Sequence, residues 1–213
     1  MAQAIQTPEG EVGTQSASVG VSALREYVDK IHAGEKAQQA GRPDEAMALY
    51  EAAVSLRPGM FEAYFRLGNA AMQAGDSLKA FGAFQEALKL QPDNIQVLLR
   101  ISEICYKLPD YEAAVAVLCE ILMINENYLP ALLALPEMLV KLERAPDAYN
   151  LLQAAIKRTP DVPELWVSAG IVAHTQNNFK DAITFYKEAL RLSPDVDLAK
   201  ENLANAERSF AAI

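Results

Sequence analysis

From Tyr27 onward, small and large apolar residues return on a step of 34. Ala46, Ala80, Ala114, Ala148 and Ala182 share one register, and four residues later come Tyr50, Phe84, Leu118, Leu152 and Tyr186. Seven and eight residues after each alanine stand further apolar pairs: Ala53 and Val54, Ala87 and Leu88, Ile121 and Leu122, Ala155 and Ile156, Ala189 and Leu190. Spacings of 4, 7 and 8 mark one face of an α-helix. Each repeat therefore carries a second helix, helix B, with a small residue where a neighbour packs close.

The first half of each repeat has its own marks. Lys30, Tyr64, Leu98, Leu132 and Trp166 share a register, as do Gly34, Gly68, Ser102, Pro136 and Gly170. Gly41, Gly75, Pro109, Glu143 and Asn177, mostly turn formers, separate the halves. Pro58, Pro92, Pro160 and Pro194 close four of the units, and Glu126 stands in their place in the other. The pattern predicts helix A, a short turn, helix B and a closing turn over 27–60, 61–94, 95–128, 129–162 and 163–196. Residues 197–213 begin another unit and stop after one polar helix, Leu198 to Phe210, which suits a solvent-facing cap and favours an independent protein. Residues 1–21 hold no aromatic side chain and are expected to form a flexible tail, with Ser22 as the N-cap of the first helix.

A 34-residue helix–turn–helix unit of this composition resembles the tetratricopeptide repeat. Residues 61–94 carry its marks at Tyr64, Leu67, Gly68, Ala80, Phe84, Ala87 and Pro92, and 163–196 at Trp166, Gly170, Ala182, Tyr186, Ala189 and Pro194. The resemblance covers 27–196. It implies an all-α, right-handed solenoid of five units and a capping helix over 197–213. A single hairpin cannot bury its apolar face, whereas stacked hairpins can.

Composition narrows the function. Nineteen Lys and Arg against 28 Asp and Glu leave a net charge of −9, which argues against nucleic acid and anionic lipid as partners. Ala113 to Ile124, the most apolar stretch, contains Glu120 and is too short to cross a bilayer. The early residues lack the basic start and apolar run of a secretory signal, so the expected location is the cytoplasm. Phosphate loops, nucleophile elbows and zinc-protease motifs do not occur. His32 and His174 lie repeats apart, and Cys105 and Cys119 share one repeat that has no histidine. Both thiols are expected in the core. No metal, cofactor or catalytic group is expected.

The resemblance places the A helices on a concave groove that holds a partner peptide. Its positions are Glu62, Phe65, Arg66, Asn69, Met72 and Gln73 in the second unit. In the third they are Gln96, Leu99, Arg100, Glu103, Tyr106 and Lys107, and in the fourth Pro130, Leu133, Ala134, Glu137, Val140 and Lys141. The chaperone-tail carboxylate clamp and the asparagine ladder known in the family are not matched at these positions. Phe65, Met72, Leu99, Tyr106 and Leu133 form an apolar stripe that either meets a partner or packs between repeats. Arg66 and Arg100 either chelate an acidic or carboxylate group of the partner or pair locally with Glu62 and Glu103.

The expected function is a non-catalytic scaffold or adaptor for a protein or peptide. The alternative is the substrate-recruiting N-terminal region of a larger bacterial enzyme, such as a flagellin or envelope glycosyltransferase or methyltransferase. Self-association through the solenoid ends is a further reading. Pro136, inside a helix A, is expected to kink it; the kink either widens the groove at Leu133 to seat a partner side chain or reflects drift at a tolerant small-residue position.

Overall fold

A computed structural model describes the backbone of residues 12–212 and the side chains from Val21 to Ala212. Among the described residues there are eleven α-helices and no strand. After α1 (Val12–Gln39), five helices start on the B register: α2 (Pro43–Leu56), α4 (Ser77–Leu90), α6 (Tyr111–Ile124), α8 (Ala145–Arg158) and α10 (Phe179–Leu192). Those on the A register are α3 (Phe61–Ala74), α5 (Ile95–Lys107), α7 (Leu129–Lys141), α9 (Pro163–Thr175) and α11 (Asp197–Ala211). Within each set the starts fall 34 residues apart, as 61, 95, 129, 163 and 197 show. No helix runs through Pro58 or Pro92.

Local chemistry sets these ends. Asp76 and Asp110 accept the backbone N–H of Lys79 and Ala113 at 2.9 and 3.1 Å, capping α4 and α6. At the same register Arg42 and Arg144 pair with Glu45 and Asp147, and a proline in the first turn replaces the cap. Gly41 and Gly75 turn the chain in the left-handed region, at φ +70° and +82°.

The first helix departs from expectation. It begins at Val12, not after Ser22, so residues 12–21 continue the helix. Nothing from Val12 to Val21 is a proline, and extending a formed helix costs far less than nucleating one. The tail expected over residues 1–11 lies outside the described residues.

The chain divides into two compact units, the described residues up to Val97 and those from Leu98 on. In the first, α1 packs on α2, α2 on α3 and α3 on α4. In the second, each helix from α6 to α11 packs on the next, with α9 also touching α7 and α11. The shared alanines Ala46, Ala80, Ala114, Ala148 and Ala182 are all 0% exposed. Helix α7 continues unbroken through Pro136, whose ring is fully buried.

Cys105 is buried as expected, but Cys119 is exposed. Its register explains the difference: the other B helices carry Glu51, Gln85, Gln153 and Lys187 there, on their solvent side.

Candidate functional site

In the first unit, α3 carries four of the expected groove residues, Phe65, Arg66, Asn69 and Met72, all half-buried. Phe65 stacks on Phe61 with ring centres 5.6 Å apart and lies tilted against Phe84 at 6.0 Å. This ring is held by its neighbours. Arg66 sits between two carboxylates, Glu35 at 2.7 Å and Glu62 at 2.5 Å. The Glu62 contact is an ion pair without hydrogen-bond alignment, since Nε has no hydrogen-bond partner among the described residues. Burial opposes the guanidinium charge, but Glu62 and Glu35 outweigh it and raise its pKa. One cation against two anions leaves this spot net negative. The polar hollow beside it is walled by Glu35, Gln38, Gln39, Arg66 and Gln73.

The second unit holds a different kind of cavity. A pocket of about 450 Å³ opens between α5 and α7, with Leu118 of α6 in its wall. Leu99, Pro130, Ala134 and Met138 supply further apolar wall, while Glu103, Lys107 and Glu137 bring charge. Tyr106 closes one side by donating its hydroxyl to Glu137 Oε1 at 2.9 Å. That hydrogen bond, together with the carboxylate's charge, pushes the Tyr106 pKa upward. Of the expected groove residues of this unit, Leu99 and Tyr106 line the pocket, while Arg100 and Leu133 stand outside its wall. Arg100 instead grips both oxygens of Glu103, at 2.9 and 3.2 Å.

Sequence reasoning missed Ser102, Leu118 and Met138 in this wall. A signal for two of them existed. Where three other repeats pair glycine with an aromatic ring, Gly34 with Tyr50, Gly68 with Phe84 and Gly170 with Tyr186, this repeat has Ser102 and Leu118. The smaller leucine fills less of the space a ring takes elsewhere.

Among the described residues no cluster of three or more His, Cys, Asp and Glu side chains is placed to hold a metal ion. No described helix is long and apolar enough to cross a membrane.

Comparison with known proteins agrees with this architecture. A family model for the tetratricopeptide repeat matches residues 33–95 and 139–197, and a second matches 71–135. The chain belongs to the tetratricopeptide-repeat family. Among solved structures it is similar to a tetratricopeptide repeat protein from Parabacteroides merdae, at 16% identity and a TM-score of 0.77, covering 88% of this chain and 74% of that one. It is also similar to YrrB, a TPR protein with an unusual peptide-binding site, at 20% identity and a TM-score of 0.67, covering 90% and 97%. MamA from Desulfovibrio magneticus gives 19% identity and a TM-score of 0.69 over 81% and 97%. These likenesses show the fold. Among curated proteins, 61 residues are 38% identical to the protein O-mannosyl-transferase TMTC1 of Mus musculus and 34% identical to that of Homo sapiens. The match takes in 29% of this chain and only 6% and 7% of those proteins.

Proposed function

We propose that this chain is a non-catalytic scaffold that holds a protein or peptide segment on its A helices, seating an apolar side chain in the pocket between α5 and α7. The pocket supports this reading by itself: apolar walls for burial, and charged groups with a tyrosine at its mouth to fix the segment's direction. That YrrB, of similar fold, is a TPR protein with a peptide-binding site is consistent with it. An acidic group on the partner is the finer question. Arg66 and Arg100 already face Glu35, Glu62 and Glu103, so an apolar anchor is favoured over a chelated carboxylate.

Affinity capture from the source organism tests the reading. Ala134→Phe should fill the pocket and cut partner retention about tenfold while the helical circular dichroism is unchanged. Arg66→Ala with Arg100→Ala should leave retention close to that of the native chain. Full retention by Ala134→Phe overturns the pocket, and loss in the arginine pair restores the acidic partner.

The second reading, a substrate-recruiting region of a larger glycosyltransferase, draws on the 61-residue similarity to the O-mannosyl-transferases. A transferase domain encoded in the same reading frame would support it.

A further inference from the structure

The outward face of α6 differs from that of every other B helix. At the register of Met123 the others carry Ser55, Lys89, Lys157 and Arg191. At that of Cys119 they carry Glu51, Gln85, Gln153 and Lys187, and at that of Ala113 they carry Glu45, Lys79, Asp147 and Asp181. Four polar helices establish what solvent asks of these positions, and α6 alone gives apolar residues at all three.

Ala113 is half-buried, but the other two are not hidden. Cys119, Met123 and, on the same stripe, Ala116 are exposed, and Met123 is 86% exposed. With Glu112 they follow one another at intervals of four, three and four residues, which places them on one stripe of the helix. Glu112 closes the stripe at its first turn and Glu120 flanks it, both exposed. No Lys or Arg occurs from Tyr111 to Ile124, and none stands in the last turn where the helix dipole is negative. The face is therefore apolar along its middle and anionic at its margins.

We propose that the outward face of α6 is a docking surface for an amphipathic partner helix that covers Ala116, Cys119 and Met123 with apolar side chains and reaches Glu112 and Glu120 with Lys or Arg. The chemistry of the edges selects this occupant. A second copy would bring Glu112 and Glu120 against like charges, and an anionic lipid surface would be repelled by the same carboxylates. Glu112 and Glu120 are eight residues apart, about 12 Å along the axis, so the partner's cations belong about two turns apart. This surface is separate from the α5–α7 pocket and does not depend on what fills that pocket.

Cys119 reports directly on whether the face is covered, because the other thiol, Cys105, is buried. The full chain is treated with N-ethylmaleimide alone and with a synthetic Leu/Lys amphipathic helix of roughly five turns. The peptide should slow Cys119 alkylation about tenfold, and a Leu/Glu peptide of the same pattern should not. Met123→Lys, which installs the residue found at this register in α4 and α8, should remove the protection without loss of helicity. So should Glu112→Gln combined with Glu120→Gln. The proposal is overturned by equal protection from the Leu/Glu peptide, by protection that survives Met123→Lys, or by binding that leaves Cys119 reactive. Protection by phosphatidylcholine vesicles but not by the peptide, or protection that rises with chain concentration alone, would assign the face to lipid or to a second copy and equally overturn it.

Discussion

A Cβ built on Gly68 would stand 2.5 Å from the ring of Phe84, and the same holds for Gly34 against Tyr50 and, at 2.4 Å, for Gly170 against Tyr186. All three rings are fully buried, so none can swing aside. The glycine is there to admit the ring. Where the ring is replaced by Leu118 or Leu152, the glycine becomes Ser102 or Pro136. This exchange gives a physical account of a proline in the middle of α7. The register no longer needs to be empty, and its side chain goes into the core. Alanine is ordinarily better than glycine in a helix, by roughly 0.8–1 kcal/mol. Gly68→Ala should nevertheless destabilise, by about 1–3 kcal/mol, because overpacking against Phe84 outweighs propensity. In a Phe84→Leu background the same change should be neutral or stabilising, giving a coupling of about 1 kcal/mol or more in a double-mutant cycle from urea unfolding. Additive effects would refute the pairing.

At the scale of the element, the helix starts from α2 onward are legible because one 34-residue period fixes them, and Cys119 is exposed because its register is polar in every other B helix. The contacts that shape the site follow a rule the period also contains. Arg66 meets Glu35, Tyr106 meets Glu137 and Arg158 meets Asn127, each pair 31 residues apart, and Tyr149 meets Asp181 at a separation of 32. One repeat less about one helical turn brings side chains on successive hairpins face to face. Reasoning confined to single helices found only the Glu62 and Glu103 partners of the two arginines. The start of α1 was less legible, since low hydrophobicity argued for a tail while nothing in residues 12–21 forbids a helix. The shared alanines are fully buried on packed helices, with no room for a larger side chain to reach solvent. Ala114→Leu should lower stability by about 1–3 kcal/mol and depress the thermal midpoint. An unchanged midpoint would mean that α6 does not pack as described.

Over the whole molecule, buried tyrosines tie stability to alkaline pH. Desolvation raises the hydroxyl pKa of Tyr27 and Tyr50 and pushes that of Tyr186 up to about 12. Tyr186 is 0% exposed, and its hydroxyl has no hydrogen-bond partner among the described residues. In the unfolded chain the same hydroxyl ionises near pH 10. Below pH 10 both states hold the proton, and the stability linked to it is fully present. As pH climbs from 10 to about 12 the unfolded state releases its proton first, so stability falls. The loss from Tyr186 alone is on the order of 2–3 kcal/mol by the top of that window. Phe84 already occupies the equivalent register in another repeat, so Tyr186→Phe fits without strain. At neutral pH it should match or exceed the native chain by up to about 1 kcal/mol, because a buried hydroxyl without a partner is removed. At about pH 11.5 its advantage should widen as the native chain alone pays the ionisation penalty at this site. Urea unfolding of both proteins at the two pH values measures the difference. Parallel loss of stability in the two would show that the Tyr186 hydroxyl is in contact with water and that the ring lies less deeply packed against Gly170.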